Sequence, residues 1–259
     1  MRAITVGFAC NNACVFCAQG DRRAAGERPF DVAARIEEIA PGEAVAFQGG
    51  EPTLHDELPA WISAATERGA GRVVVQTNGR RLAYPSYARA LREASAVLAL
   101  DVSLHGATAP MHEYHTGVAG SFAQTIQGLR NARVAGIPFG VTTVITRSSF
   151  RHLADIARVA HAAGARAVHF THALPLGRAA RAFCRVIPAT EMVAPYLTRA
   201  VAEAQRLGMA VPAGDGASPE AAALFAEIGE VEPRPAGVSA HRKVSLRIAL
   251  PVDVPSAEE

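Results

Sequence analysis

Three of the four cysteines fall within eight residues, Cys10-Asn-Asn-Ala-Cys14-Val-Phe-Cys17. Three thiolates on one short loop can wrap a small inorganic core. Three protein donors leave one metal of a four-iron cluster without a protein ligand, and an open coordination position is where metal chemistry occurs. Two other chemistries use the same residue types. One is a structural zinc site with His55, His105 or His112 as the fourth ligand, although such sites usually show paired CxxC knuckles, which are absent here. The other is a redox dithiol of Cys14 and Cys17, which lacks the helix start that lowers a thiol pKa. Cys184 stands apart from the cluster. It reads either as a substrate ligand or hydrogen-atom donor, or as a small buried hydrophobe, and the second reading is preferred.

Further polar groups follow short apolar runs. Gln48-Gly49-Gly50-Glu51-Pro52-Thr53 pairs two glycines, which allow close backbone approach to a ligand, with Glu51, a carboxylate able to accept from an ammonium group. Thr77-Asn78-Gly79, Asp101-Val102-Ser103-Leu104-His105 and Ile145-Thr146-Arg147 come next. Arg147 suits a bidentate grip on a carboxylate or phosphate, or else is a solvated loop residue. His105, His112 and His115 sit after the fourth apolar run. His105 and His112 are candidates for general acid–base work, with hydrogen-bonded loop roles as the alternative.

Apolar runs at Ala3–Phe8, Ala44–Gln48, Arg72–Gln76, Ala96–Ser103, Phe139–Ile145 and Ala167–Thr171 predict strands. Helical patterns separate them at Phe30–Ala40, Glu57–Gly69, Tyr84–Ala94, Ser121–Gly136 and Phe150–Gly164. Gly120-Ser121 with Gln124 suggests a capping box, and Gly136 and Gly164 suit left-handed C-caps. This alternation predicts an α/β fold with a parallel sheet, either a partial (β/α)6 barrel or an open doubly wound sheet. In either, polar residues at the C-terminal strand ends would gather on one face. Residues 1–187 are expected to form the barrel core and 188–250 a short C-terminal extension of helix and loop. Within that extension a helix is expected at Glu191–Leu207 and one possible strand at Val244–Leu250. Residues 251–259 read as a disordered tail.

The chain has 259 residues, 49 % hydrophobic and 19 % charged, with a formal net charge of +2. That is ample material for a core and argues against a dedicated nucleic-acid binder. No apolar run is long enough for a membrane span and no secretory signal is visible, so a cytoplasmic location is expected.

The CxxxCxxC spacing just after the first strand, with Phe16 before the third cysteine, resembles the radical S-adenosylmethionine (SAM) superfamily. The motifs GGEP, TNG and the serine-bearing segment at Ser103 are similar to that family's and stand in its order. The resemblance covers about residues 1–180 and extends to peptide-maturase and molybdenum-cofactor-type members. It implies a partial (β/α)6 TIM-like barrel with one 4Fe–4S cluster on Cys10, Cys14 and Cys17. SAM would be bound at the fourth iron and cleaved to methionine and a 5′-deoxyadenosyl radical. It further implies SAM contacts from Phe16, Gly49, Gly50, Glu51, Asn78 and Ser103. Thr77 would face SAM or substrate, and Arg147 is added as a cofactor-binding candidate. A reductant such as flavodoxin or ferredoxin would supply the electron. The SxHG…HxxxxG…GSF stretch resembles peptide maturases, so a peptide substrate is expected. The alternatives are small-molecule or cofactor biosynthesis, glycyl-radical activation, methyl transfer and a non-catalytic zinc or iron–sulfur module. No cysteine follows Cys184, so auxiliary clusters are not expected.

Overall fold

The structure is a computed structural model that describes residues 1–20 and 31–211. Six strands, β1 (Arg2–Thr5), β2 (Ala44–Gln48), β3 (Arg72–Thr77), β4 (Leu98–Ser103), β5 (Phe139–Ile145) and β6 (Ala167–His172), form one sheet. They lie in sequence order and every neighbouring pair is parallel. Each crossover carries helix. The helices are α1 (Val32–Glu37), α2 (Leu58–Glu67), α3 (Pro85–Ala94), α4 (Ala109–Thr116), α5 (Ser121–Val134), α6 (Leu153–Ala163), α7 (Gly177–Arg181), α8 (Phe183–Val186) and α9 (Thr190–Arg206). Sequential parallel order with helices in the crossovers is the partial (β/α)6 barrel, and the doubly wound alternative, which reverses strand order, is excluded.

The two faces of the sheet differ in composition. Val45, Phe47, Val73, Val75, Leu98, Leu100, Val102, Phe139, Val141, Val168 and Phe170 belong to one buried cluster with Leu58, Ile62, Leu91, Leu129 and Ile156 of the helices. That face drives folding through apolar burial. Strand alternation turns the intervening residues to the inner face, where apart from Val74 and Val144 they are small or polar.

Gly136 and Gly164 adopt positive φ of 71° and 104° at their helix ends, as expected. The capping box is not formed. Gly120 is the N-cap of α5, and the Ser121 hydroxyl instead lies 2.7 Å from that of Thr116. The unpredicted helix α4 fills the loop after β4, and α7 and α8 follow β6. Val244–Leu250 lies outside the described residues, as do 212–259 generally. Among the described residues no helix is long and apolar enough to cross a membrane.

Candidate active site at the C-terminal strand ends

The cysteine loop leaves β1 and is fastened from several sides. Ala13 and Val15 N–H donate to the carbonyls of Thr116 and His115, the last residues of α4, at 2.7 and 2.9 Å. Arg80, just beyond β3, donates from Nη1 to the Asn11 carbonyl and to Asn12 Oδ1 (2.8 Å), and from Nε to Gln124 (2.6 Å). Asn78 Nδ2 donates to Asn11 Oδ1 at 2.6 Å. Opposite, the Arg178 N–H donates to the Cys17 carbonyl (3.0 Å) and its Nη1 to the Cys14 carbonyl (3.3 Å). Gly177, at φ 52°, presses so closely on the Cys17 and Ala18 carbonyls that a Cβ would overlap them. Helix α4, Arg80 and Arg178 were not singled out from sequence. Arg80 directly follows Asn78-Gly79, but its target became visible only in three dimensions.

None of the four cysteines is in a disulfide. Burial, with the adjacent sulfurs of Cys17 and Cys10, pushes the Cys14 thiol up to about 12. Such a thiol stays protonated near neutral pH unless a cation sits on it, and iron is a cation that deprotonates a coordinating thiol. Among the described residues no three His, Cys, Asp or Glu side chains are grouped to hold a single metal ion. A four-iron cluster asks less convergence, since each thiolate binds a different iron. The donor set therefore fits a cluster.

Gly49 and Gly50 both lie close against backbone. A Cβ on Gly49 would overlap the Gly7 carbonyl, and one on Gly50 the carbonyls of Phe8 and Ala9. The close approach is to the cysteine-loop backbone, sealed by Gly50 N–H to Gly7 O and Glu51 N–H to Ala9 O, both 2.8 Å. Glu51 is 1 % exposed. Its Oε1 accepts from Thr53 N–H (3.1 Å), Thr53 Oγ1 (2.7 Å) and Thr77 Oγ1 (2.6 Å), and its Oε2 from Asn78 N–H (2.6 Å). Burial raises its pKa while those donors oppose the rise. The carboxylate thus spans the ends of β2 and β3, and the Thr77 hydroxyl turns to it rather than outward.

Phe16 stacks edge-on against His105, with ring centroids 4.7 Å apart, and tilts against His115 at 6.0 Å. The three histidines are buried. His112 Nδ1 accepts from the His105 N–H (3.2 Å), and His105 Nδ1 accepts from Val144 N–H (3.3 Å). His115 Nδ1 lies 2.7 Å from the Met111 carbonyl and so carries a proton. Its Nε2 accepts from the hydroxyls of Thr146 and Ser148, each at 2.8 Å. Burial and mutual repulsion hold His105 well below 6.5 and His112 down at about 4. The three rings are thus hydrogen-bonded to the chain and packed around Phe16.

Ser103 ends β4 half-buried on the inner face. Arg147 is exposed and donates from Nη1 to the Cys184 carbonyl at 3.0 Å, which ties the end of β5 to α8. Cys184 is itself exposed, contrary to the expected buried hydrophobe, because α8 turns it outward.

The fold and the loop together define a partial (β/α)6 barrel whose reactive edge gathers three cysteines. A profile of the radical SAM superfamily matches residues 4–160, and the chain belongs to that superfamily. Membership implies a 4Fe–4S cluster and SAM. An AdoMet-dependent heme synthase of Nitratidesulfovibrio vulgaris is 35 % identical over 147 residues, 57 % of this chain and 39 % of that one. A probable GTP 3′,8-cyclase of Sulfolobus acidocaldarius is 28 % identical over 185 residues, 70 % of this chain and 58 % of that one. This chain therefore spans about two fifths to three fifths of those relatives. Among solved structures, Streptococcus suis SuiB bound to precursor peptide SuiA superposes with a TM-score of 0.61 at 17 % identity, over 79 % of this chain and 46 % of that one. Native anSMEcpe with bound AdoMet superposes at 0.56 and 19 % identity, over 67 % and 52 %. These likenesses establish the fold.

Proposed function

We propose that the chain is a radical SAM enzyme that holds one 4Fe–4S cluster on Cys10, Cys14 and Cys17 and abstracts hydrogen from a peptide. The observation that carries the reading is the single cysteine loop, braced by α4, Arg80 and Arg178 on the C-terminal edge of the barrel. Bound there, the cluster would supply the electron that breaks a carbon–sulfur bond of SAM. The chain's own part is to fix the loop, to leave one iron without a protein donor and to keep the histidines behind Phe16 neutral. Ser103, half-buried at the end of β4, is suited to donate to the carboxylate or ribose of SAM, and Phe16 to bound the adenine pocket. An exogenous reductant of the flavodoxin or ferredoxin kind would deliver the electron.

Support for a peptide comes from the Ser103–Phe122 stretch and from the SuiB fold, whose structure holds a precursor peptide. A second reading, small-molecule or cofactor synthesis, is favoured by the names of the sequence relatives, heme synthase and GTP 3′,8-cyclase.

Anaerobic reconstitution with iron and sulfide tests the core claim. The expected product is a brown protein with four irons per chain that converts SAM and dithionite to 5′-deoxyadenosine and methionine. Cys14→Ala should remove both colour and turnover, and turnover surviving that change would overturn the ligand assignment.

A further inference from the structure

The inner face of the sheet carries a polar constellation that the cysteine site does not use. Strand alternation leaves Gln48, Gln76, Asp101, Thr142 and His169 on this face, opposite the apolar cluster. Register places Gln76 beside Asp101 and Thr142 beside His169. Thr142 Oγ1 donates to Asp101 Oδ1 at 2.6 Å, and His169 Nδ1 lies 3.5 Å from the same hydroxyl.

Proton counting sets the tautomer. A threonine hydroxyl has one proton. With that proton donated to Asp101, the Thr142 oxygen can only accept, so the 3.5 Å contact suits the His169 tautomer with Nδ1–H and the lone pair on Nε2. That Nε2 is buried and has no partner among the described residues. Burial alone draws the imidazole down to about 4, so the ring is neutral near pH 7. Asp101, pushed up by burial to about 6, is still mostly ionised there. On β2, Gln48 is 7 % exposed and its Nε2 also has no partner among the described residues. Unpaired buried polar atoms are costly unless a ligand or water completes them.

The inner-face positions at this level, Thr5, Gln48, Gln76, Asp101, Thr142 and His169, include no Lys or Arg. A phosphate or carboxylate placed there would meet the Asp101 carboxylate with no cation on these positions to offset it. An N–H group would instead find two acceptors, Asp101 and His169 Nε2, and a carbonyl would find the Gln48 amide.

We propose that Asp101, Thr142, His169 and Gln48 form a substrate subsite for amide and amine groups, so that the barrel interior receives peptide rather than an anionic small molecule. This rests on the radical SAM reading and names the substrate class within it. Asp101 acts through Thr142 to fix the tautomer of His169, which makes Thr142 a positioning residue.

The test uses the full, cluster-reconstituted chain labelled with ¹⁵N-histidine and read by NMR. Triglycinamide and inorganic triphosphate serve as probes. The expected result is an unprotonated His169 Nε2 whose signal moves with triglycinamide but not with triphosphate. Asp101→Asn should weaken that response about tenfold, the scale of losing one charged hydrogen-bond acceptor. His169→Gln, whose amide oxygen reaches the Nε2 position, should keep most of the triglycinamide affinity measured by calorimetry, while His169→Asn should lose it. A protonated Nε2, silence toward triglycinamide, or an equal response to triphosphate overturns the proposal. Formation of 5′-deoxyadenosine by the wild-type protein is scored separately, so failure of the radical reading and failure of the subsite are distinguishable.

Discussion

Glu51 shows how much of a motif residue's work is done inside the chain. The spacing puts it at the end of β2. There its carboxylate accepts from four donors of Thr53, Thr77 and Asn78, three on Oε1 and one on Oε2. Replacing Glu51 by Gln sets an amide N–H against one of those donors and leaves a buried mismatch, which costs about 1–3 kcal/mol. Glu51→Gln should therefore melt several degrees lower and load less iron, because Asn78, held by Glu51, in turn holds Asn11. An unchanged melting curve with weakened SAM binding would assign the carboxylate to the ligand instead. Gly50→Ala is expected to act on the loop alone. Its new methyl would strike the Phe8 and Ala9 carbonyls, backbone that cannot rotate away. Circular dichroism should stay near wild type while iron content falls, and normal loading would refute this packing. Thr77 and Asn78 as partners of Glu51, and the Phe8 and Ala9 carbonyls as neighbours of Gly50, were not visible in the sequence, since they lie on other strand ends.

Among the elements, α4 contributes to the pH behaviour through His112. Its last carbonyls hold the cysteine loop, and its histidines pack against His105 and Phe16. In the folded protein the pKa of His112 is lowered to about 4, against about 6.5 for a solvated imidazole in the unfolded chain. A depressed folded pKa means stability that is complete above the unfolded value and lost as pH falls through 6.5 toward 4, up to about 3 kcal/mol for a shift of this size. Asp101 works in the opposite sense, since its raised pKa favours the fold as pH falls below 6. The comparison must therefore be with a variant. His112→Asn, which can still accept from the His105 N–H, should flatten the stability loss between pH 6.5 and 4.5 in urea titrations, and an unchanged slope would show that His112 is not the source. The six strands were legible because β-branched runs alternate with helical patterns. Helix α4 was not, because Ala109-Pro110 followed by Met, His, Glu and Tyr has no apolar stripe, and its helicity comes from packing on the loop it braces. The short α7 and α8 lack the length for any periodicity to register.

At the scale of the whole molecule, the sequence placed a boundary at residue 187, between a barrel core and an extension. Packing in the structure runs across it. Val193, Ala200 and Ala204 of α9 join the same buried cluster as the β-sheet and α6. Tyr196 meets the Phe150 ring edge-on at 5.2 Å. Beyond α9 the chain returns to the sheet, where Val168 N–H donates to Ala210 O (3.0 Å) and Ala210 N–H to Arg166 O (2.9 Å), covering the start of the β6 edge. An unpaired strand edge and an uncovered apolar helix face both favour association. A chain ending at residue 187 would expose Ile156, Ala157 and Ala160 of α6 together with Phe150. It should aggregate, or melt without a cooperative transition, even though it retains all six strands and every cysteine. Ala200→Glu in the full chain provides the milder version. A charge forced into that buried contact lowers the melting temperature without touching the cysteine loop, so iron loading per folded chain should hold. A soluble 1–187 fragment with the melting temperature of the full chain would place the boundary back at 187 and make α9 an accessory to the barrel, not part of its core.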